Sequence, residues 1–323
     1  MRASLLLFTV LAGMQACNAS AADAGDYPRR PVRMILPNAP GSSSDTLGRI
    51  LAQKLGDALG QQVVVENHAG AGGLIGMEIA KTAAPDGYTI VAVTPAGTSI
   101  ATSLHQKLSY DPLADFQYIS LYAVLPNMLV VTPTLPIKTL KDLIDYARSK
   151  PGEVYMASAG PGSQSHLAGV MLQQMAQFSS VHVPYKGGAA SVLAVISGEA
   201  QWTITPASSV SQHARSGTLR ALGQSLPQRT PQLPDVPAVA ETVPGYSYSG
   251  WNGIAVPKNT PQPVVDIIRA ALLKTLSQPD VKEAFNKQGA EVVTNTPEEF
   301  RRLVEAEIQS TQKVVKATDL KVE

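Results

Sequence analysis

The sequence predicts an α/β fold of two domains with largely parallel sheets, and three observations support this. The 323 residues are enough for two domains of ordinary size. Short apolar runs alternate with amphipathic stretches along the chain, which is the pattern of βα repeats. With 44% hydrophobic and 16% charged residues, the composition also excludes a disordered chain or a coiled coil, because both need far more charge.

The predicted strands and helices follow one another in order. In the first part of the chain, apolar runs predict strands over residues 32–36, 63–65 and 88–93, with helices over 45–59 and 73–83. The pattern then repeats, with strands over 128–131, 154–157, 181–183, 201–205 and 219–223, and helices over 139–148, 165–175 and 189–196. The last part is helical, over residues 263–277 and in a long helix that begins with Thr296-Pro297-Glu298-Glu299.

Residues 1–21 have the pattern of a secretory signal peptide. Met1 and Arg2 form a short positive start, residues 3–14 are apolar, and Ala19-Ser20-Ala21 offers small residues to a signal peptidase. The apolar run is too short for a membrane span of about 20 residues. We therefore expect cleavage, export to the periplasm and a soluble mature chain.

The single cysteine, Cys17, leaves one alternative open. Cleavage between Ala16 and Cys17, followed by lipidation of the cysteine, would anchor the chain. Gln15 is large and polar and fits a lipoprotein motif poorly, so cleavage after residue 21 is the preferred interpretation. A single cysteine also excludes a disulfide framework and a cysteine-rich metal site.

Charge and motif spacing exclude several classes of partner. The 26 basic and 25 acidic residues give no basic surplus for binding a nucleic acid. The five histidines lack metal-site spacing, so no metal is expected. The glycines of residues 70–76 do not form a clean GxGxxG, and the next strand ends without an acid for a ribose. We therefore expect no nucleotide and no other cofactor.

Two similar glycine- and serine-rich loops each follow an apolar strand and precede a helix. Residues 39–45 are Ala-Pro-Gly-Ser-Ser-Ser-Asp, and residues 159–166 are Ala-Gly-Pro-Gly-Ser-Gln-Ser-His. The first turn of a helix has unpaired N–H groups and a partial positive charge, so it stabilises an anion without a lysine. Two such loops that face each other across a cleft would hold one anion between two domains. The residues that we expect to do so are Ser42, Ser43, Ser44, Gly162, Ser163 and Ser165.

These loops, with other motifs in the same order, resemble the Bug (Bordetella uptake gene) family, the extracytoplasmic solute receptors of tripartite tricarboxylate transporters. The resemblance spans roughly residues 27–322. In the first half it rests on residues 27–35, 39–45, 60–67, 70–73 and 84–88. In the second half it rests on residues 162–169, 182–187 and 233–237.

The resemblance implies a class II periplasmic-binding-protein fold, the Venus flytrap, with two α/β domains, two chain crossovers and an interdomain cleft. We place the crossovers near Leu125 and Ser249. One domain then comprises residues 26–124 plus 250–323, and the other comprises residues 125–249. The implied activity is capture of a small organic anion for the membrane subunits of a transporter, without catalysis, and we expect a monomer.

The family also implies where the ligand binds. In relatives, the ligand carboxylate lies between the two loop–helix motifs, which this chain matches at residues 41–45 and 162–166. That adds Gly41, Asp45 and His166 to the expected site, and Ala159, which begins the second loop, is expected there as well. Thr94, Thr98 and Ser99 follow the third strand and are expected to complete the pocket floor. Lys186 is either an ordinary solvated lysine or a long-range attraction for the anion.

Three departures from the family pattern bear on the ligand. Relatives usually have an aromatic residue where this chain has Asn38, and a second glycine where it has Ser42. Many relatives have an acid where this chain has Thr205, and an acid there would pair with a ligand ammonium. We therefore expect a di- or tricarboxylate, a hydroxy acid or an aromatic acid in preference to an amino acid. Trp251, beside the second crossover, is either a core residue or part of the cleft.

Two further functions stay open at this stage. The same fold serves as the ligand-binding partner of two-component sensors. An exported serine hydrolase would use Ser163 or Ser165 with His166, although the chain lacks a GxSxG motif and adjacent serine and histidine side chains usually project differently.

Overall fold

The computed structural model describes residues 27–104 and 107–318. The predicted signal peptide and Cys17 lie outside the described residues. Within the described residues, the chain forms two five-stranded sheets. We call the sheets A and B, and each sheet with its helices forms a lobe that bears the same letter.

Sheet A has the strand order β2–β1–β3–β10–β4. Its first three strands are parallel, and β10 runs antiparallel to both of its neighbours. The chain enters β10 only after it has built sheet B. The strands are β1 (Val32–Leu36), β2 (Val63–Asn67), β3 (Thr89–Val93), β4 (Phe116–Leu125) and β10 (Gly250–Pro257).

Sheet B repeats this topology with the order β7–β6–β8–β5–β9. Its first three strands are again parallel, and β5 runs antiparallel to β8 and β9. The chain passes from sheet A to sheet B within two residues, between the end of β4 and the start of β5. The strands are β5 (Asn127–Val131), β6 (Tyr155–Ser158), β7 (Val181–Pro184), β8 (Trp202–Pro206) and β9 (Arg220–Gln224).

Helices cover both faces of each sheet. Lobe A contains α1 (Ser43–Leu59), α2 (Leu74–Thr82), α3 (Ala101–Leu104), α8 (Gln262–Ser277), α9 (Pro279–Lys287) and α10 (Pro297–Thr318). Lobe B contains α4 (Leu140–Ser149), α5 (Gln164–Ala176), α6 (Gly188–Ser197) and α7 (Ala207–Arg215). No helix among those described is both long and apolar enough to cross a membrane.

The strand pattern explains why both faces of sheet A are covered. In β1, Met34 packs in the core with α1, α8 and α9, whereas the next residue, Ile35, packs in the core with α2 and α10. Successive side chains of a strand point to opposite faces, so a fully apolar strand needs helices on both sides. Sheet B is built in the same way, with α4 and α5 on one face and α6 and α7 on the other.

The predicted strands and helices are present, with ends that shift by one or two residues. The sequence analysis did not predict β4, β10, α3, α7 or α9. Strand β4 is buried along nearly its whole length and shows no alternation, whereas β10 contains two glycines and an asparagine. The two strands pair with each other from end to end. Each strand is therefore held extended by a partner that is distant in the sequence, although its own residues are not typical of a strand.

Candidate ligand-binding cleft

A cleft of about 690 Å³ lies between the two lobes. Two loops reach it from opposite sides: loop A (residues 37–42) connects β1 to α1, and loop B (residues 159–163) connects β6 to α5. Both loops leave the carboxyl end of the middle strand of a parallel trio, which is where open α/β sheets bind ligands. The cleft wall consists of Asn38, Ser42, Ser43, Ser44, Gly72, Thr94, Pro95, Ala96, Ile100, Ala101, Leu104, Leu125, Pro161, Gly162, Ser163, Gln164, Pro206, Gly250 and Trp251.

Loop A turns sharply and ends in a capped helix. Gly41 has φ 79°, a left-handed conformation that favours glycine. Ser42 is the N-cap of α1, with φ −69° and ψ 160°, and its Oγ accepts the N–H of Asp45 at 3.2 Å. The carboxylate of Asp45 in turn accepts the N–H of Gly41 at 2.8 Å. The first N–H groups of α1 are thereby presented on the cleft wall.

Loop B repeats this geometry at positions 121 residues further along the chain, as the numbering shows. Gly162 has φ 69°, and the N-cap Ser163 has φ −65° and ψ 159°. The Oγ of Ser163 accepts the N–H of His166 at 3.3 Å, and Nδ1 of His166 accepts the N–H of Gly162 at 3.1 Å. A neutral imidazole ring with an accepting Nδ1 carries its proton on Nε2.

Asp45 is buried behind loop A and is held as a carboxylate. Burial acts to raise its pKa, but hydrogen bonds from Asn67, Gly41 and Arg49 outweigh burial and lower the pKa below its ordinary value. The amide of Asn67 donates at 2.8 Å and Nε of Arg49 donates at 3.0 Å. Because Asn67 ends β2, this network ties loop A to the neighbouring strand.

His166 is buried behind loop B and is held neutral. Burial, and then the neighbouring His182, lower its pKa to about 4. The two imidazole rings are stacked with centroids 3.6 Å apart, and Nε2 of His182 lies 2.6 Å from Oγ of Ser158. His182 lies on β7, so this stack ties loop B to its neighbouring strand. The sequence analysis did not single out His182, since only the pairing of β6 with β7 brings it beside the loop.

A fixed indole forms part of the cleft wall near the return to sheet A. Trp251 is the second residue of β10, and its Nε1–H donates to Glu307 of α10 at 2.8 Å. The ring also meets Phe300 edge-on, with centroids 5.3 Å apart. Burial raises the pKa of Glu307 to about 7, although the bonds from Trp251 and Ser99 act in the opposite direction. These contacts fix the orientation of the indole.

The described part of the cleft wall carries no charged side chain, but it carries two amide side chains with unpaired atoms. Among the described residues, Oδ1 of Asn38 and Nε2 of Gln164 are buried without a hydrogen-bond partner. The amide of Gln164 lies against Gly250, where an added Cβ would be 2.9 Å from its nitrogen. Asn38 was expected at the site, whereas Gln164 was not, because the sequence analysis selected glycines and hydroxyls.

The structure brings some of the expected site residues together on the cleft wall. These are Asn38, Ser42, Ser43, Ser44, Thr94, Gly162 and Ser163, and the wall also includes Trp251. Four others stand behind the wall and shape the two loops. These are Gly41, Asp45, Ser165, whose Oγ accepts the N–H of Ala159, and His166.

The remaining expected residues do not form the cleft wall. Ala159 lies at the base of loop B, and Thr98 and Ser99 are buried beneath Thr94, where Thr98 donates to its carbonyl. Thr205 is buried in β8, one residue before Pro206 of the wall. Lys186 is exposed between β7 and α6. A direct contact of these residues with a ligand stays a prediction.

The contacts of His166 bear on the hydrolase alternative. Its Nδ1 is occupied by the backbone of Gly162, and its nearest ring partner is His182. The hydroxyls of Ser163 and Ser165 bond to the loop and to each other. A nucleophilic serine needs an imidazole base within hydrogen-bond reach, and these contacts give neither serine one. Among the described residues, no group of side chains suited to a metal ion occurs either.

Comparison with known proteins identifies the class to which this fold and cleft belong. Residues 47–320 match the model of the tripartite tricarboxylate transporter family receptor. BugT of Bordetella pertussis is 36% identical over 318 residues, which cover 98% of this chain and 96% of that protein. The chain therefore belongs to the tripartite tricarboxylate transporter receptor family, which contains the Bug proteins, and its members are periplasmic solute-binding receptors.

Two solved structures are similar to the whole described fold. One is an R. palustris protein with adipate, which is 31% identical, has a TM-score of 0.77 and covers 92% of this chain and 99% of its own. The other is MatC from Rhodopseudomonas palustris with bound malate, which is 30% identical, has a TM-score of 0.72 and covers 90% of this chain and all of its own. The expected two-domain periplasmic-binding-protein fold is thus confirmed.

Proposed function

We propose that this protein is a periplasmic receptor that captures a small organic carboxylate between its two lobes and delivers it to the membrane subunits of a tripartite tricarboxylate-type transporter. The observation that carries the proposal is the pair of matched helix starts on one cleft. Family membership supports transport as the purpose of the binding. Adipate and malate in the two similar structures support a carboxylate as the ligand class.

The proposed mechanism of binding depends on the backbone. The first turns of α1 and α5 direct N–H groups and positive dipole ends at the cleft, and hydroxyls of Ser42 and Ser163 lie beside them. A carboxylate oxygen accepts such donors without any cationic side chain. The protein catalyses no reaction in this proposal and acts as a monomer.

Closure of the lobes would signal occupancy to the transporter. We propose residues 26–124 plus 250–323 as one domain and 125–249 as the other, in agreement with the direct passage from β4 to β5 and with the return at β10. The hinge then passes beside Leu125 and Gly250, which both lie on the cleft wall. A ligand in the cleft would therefore touch both lobes and the hinge.

Thermal unfolding with adipate and malate as probes tests this function. For a dissociation constant of about 10 μM, 1 mM ligand adds about 2.7 kcal/mol to the unfolding free energy, and the Tm rises accordingly. Trp251 supplies a second readout, because a ligand against the indole changes its fluorescence and Trp251→Phe removes that signal. Failure of every acid in a broad carboxylate panel to raise the Tm would overturn the proposal.

A charge placed at a helix start separates binding from folding. Ser43 is exposed at the first position of α1, so Ser43→Asp adds a favourable charge to the helix dipole while it repels an anionic ligand. We expect Ser43→Asp to retain or raise the Tm of the unliganded protein and to abolish the ligand-induced rise. Ser43→Asn is the matched neutral control and should still respond to ligand.

A further inference from the structure

The part of the cleft wall that does not belong to the two loops is largely hydrocarbon. Its apolar side chains include those of Pro95, Ile100, Leu104, Leu125, Pro206 and Trp251, and Thr94 adds one hydroxyl. Apolar surface that a ligand covers there contributes roughly 25 cal/mol per Å². A ligand hydroxyl pressed against the same surface loses its water and finds no partner, which costs about 1–3 kcal/mol. The wall therefore discriminates against a hydroxylated ligand body.

The starts of α1 and α5 on the wall have serine caps, and α7, whose N-cap is Pro206, begins there as well. Among the residues that the structure describes, the wall has no lysine, arginine or histidine, so a carboxylate there depends on backbone N–H groups, hydroxyls and amides. The remaining free side-chain atoms that we identify on the wall, on Asn38 and Gln164, are uncharged amides.

Trp251 is only 3% exposed, and its indole contributes a small apolar part of the cleft wall in a fixed orientation. Glu307 holds its Nε1–H and Phe300 holds its edge, so the ring does not turn to suit a different ligand. A rigid apolar wall favours an aromatic ring or an extended methylene chain packed against it. The two similar structures with bound ligands include both a hydrocarbon-bodied acid, adipate, and a hydroxy acid, malate, so membership of the family does not decide between them.

We propose that the ligand of this protein is a carboxylic acid with a hydrocarbon body, either an aromatic ring or a methylene chain, and not a polyhydroxy acid. This inference rests on the proposed function, since it concerns the same cleft. The helix starts bind one or two carboxylates of the ligand, and the hydrocarbon wall selects the part of the ligand that lies between or beyond its carboxylates. The proposal narrows the ligand classes that the sequence alone left open.

Calorimetric titration with adipate and galactarate tests the inference, because both are six-carbon dicarboxylates and galactarate adds four hydroxyls. We expect adipate to bind at least tenfold more tightly than galactarate, with citrate weaker than adipate. Benzoate should also bind more tightly than citrate. Equal or tighter binding of galactarate or citrate would overturn the inference and leave the receptor function standing. Failure of all four acids, and of the wider panel, would overturn both.

Replacement of one wall residue tests the physical cause. Leu104 is half-buried and belongs to none of the hydrophobic clusters identified among the described residues, so its replacement leaves the folding core intact. Leu104→Asn keeps the branching at Cγ but makes the wall polar, and it should reduce the ratio of adipate to galactarate affinity by about fivefold to tenfold. Leu104→Met keeps the wall apolar and should retain the ratio. An unchanged ratio in Leu104→Asn would contradict the assigned cause.

Discussion

Loop A and loop B form the same backbone turn, yet opposite kinds of side chain support them. A carboxylate, Asp45, accepts the glycine N–H in loop A, and a neutral imidazole, His166, accepts it in loop B. The cap dihedrals differ by only a few degrees. The comparison shows that the shared geometry requires an acceptor at the third helical residue and does not depend on the charge of that acceptor.

The supports differ in what else they hold. Asp45 is bonded to Arg49 and Asn67, so loop A depends on an ionic network. His166 is stacked on His182, so loop B depends on two neutral rings. The positions that face the cleft differ too, because the first residue of α1 is Ser43 and the equivalent first residue of α5 is Gln164.

The largest expected effect comes from Gln164→Glu, which changes shape very little and tests whether the two loops share the anion. A carboxylate within about 4 Å of the ligand's carboxylate costs on the order of 4 kcal/mol at an intermediate dielectric. We therefore expect affinity for a carboxylate to fall at least 100-fold by calorimetry, as in Ser43→Asp. Full affinity in Gln164→Glu would show that loop A alone binds the anion. Gln164→Met, which lacks the charge, is the control and should lose far less.

Replacement of Asp45 and replacement of His166 should lower the free energy of unfolding by different amounts. Asp45→Ala removes one buried acceptor that Gly41, Arg49 and Asn67 share, and we expect the free energy of unfolding to fall by about 3 kcal/mol. His166→Ala removes a stacked ring and one acceptor, for which we expect about 2 kcal/mol. Urea unfolding of the purified variants measures both values. A smaller loss in Asp45→Ala than in His166→Ala would reverse this ranking.

The pH dependence of stability sharpens the contrast between charged and neutral support. His166 has a folded pKa of about 4 against an ordinary 6.5, so the stability that it supports is complete above 6.5 and falls as pH drops towards 4. Glu307 has a folded pKa of about 7 against 4.5, so its contribution is complete below 4.5 and is lost as pH rises through 7. Each contribution to the free energy of unfolding is on the order of 3 kcal/mol, and the two oppose each other.

Two variants separate these contributions. His166→Asn retains an acceptor for Gly162 without titrating, so the stability of that variant should decline more steeply than wild type as pH rises from 4.5 to 7. Glu307→Gln should show the opposite change, with stability that rises over the same interval. Unfolding free energies measured at half-unit intervals of pH give the slopes, and parallel slopes in both variants and wild type would contradict the assignment.

The smallest expected effects come from the two caps. Ser163 accepts the N–H of His166 and also donates to Gly160 at 2.7 Å, whereas Ser42 has a single such bond, from Asp45. We expect Ser163→Ala to cost about 1.5 kcal/mol and Ser42→Ala about 0.7 kcal/mol. Thermal unfolding without ligand provides the measurement, and equal losses would show that the additional bond contributes nothing.

Local patterns were sufficient to predict most of the fold. The apolar run from Val32 and the helical spacing that ends at Leu59 appear in the structure with nearly the predicted bounds. Strand β10 was missed because Gly250, Asn252 and Gly253 are poor strand residues by themselves. Its conformation is determined by β3 and β4, which lie more than a hundred residues earlier.

The candidate site was only partly predictable, for a related reason. Glycine and serine before a helix predict a loop that is followed by free N–H groups, so loops A and B could be identified from the sequence. No sequence pattern identifies the hydrocarbon part of the wall, because Leu104 and Leu125 cannot be distinguished in the sequence from leucines of the core. Gln164 also gave no signal, since only the approach of α5 to Gly250 buries its amide.

An apolar cluster links the two lobes at one side of the cleft. Val314 near the end of α10 packs with Leu167 and Val170 of α5, and Ile100 of the cleft wall packs against them. Any opening that draws α5 away from α10 exposes this cluster to water. Exposure of apolar surface to water raises the heat capacity of the protein. Binding of a solute to the open form should therefore show a more negative heat-capacity change than burial of the solute's own surface accounts for. The apolar contact between the lobes should also become weaker at low temperature.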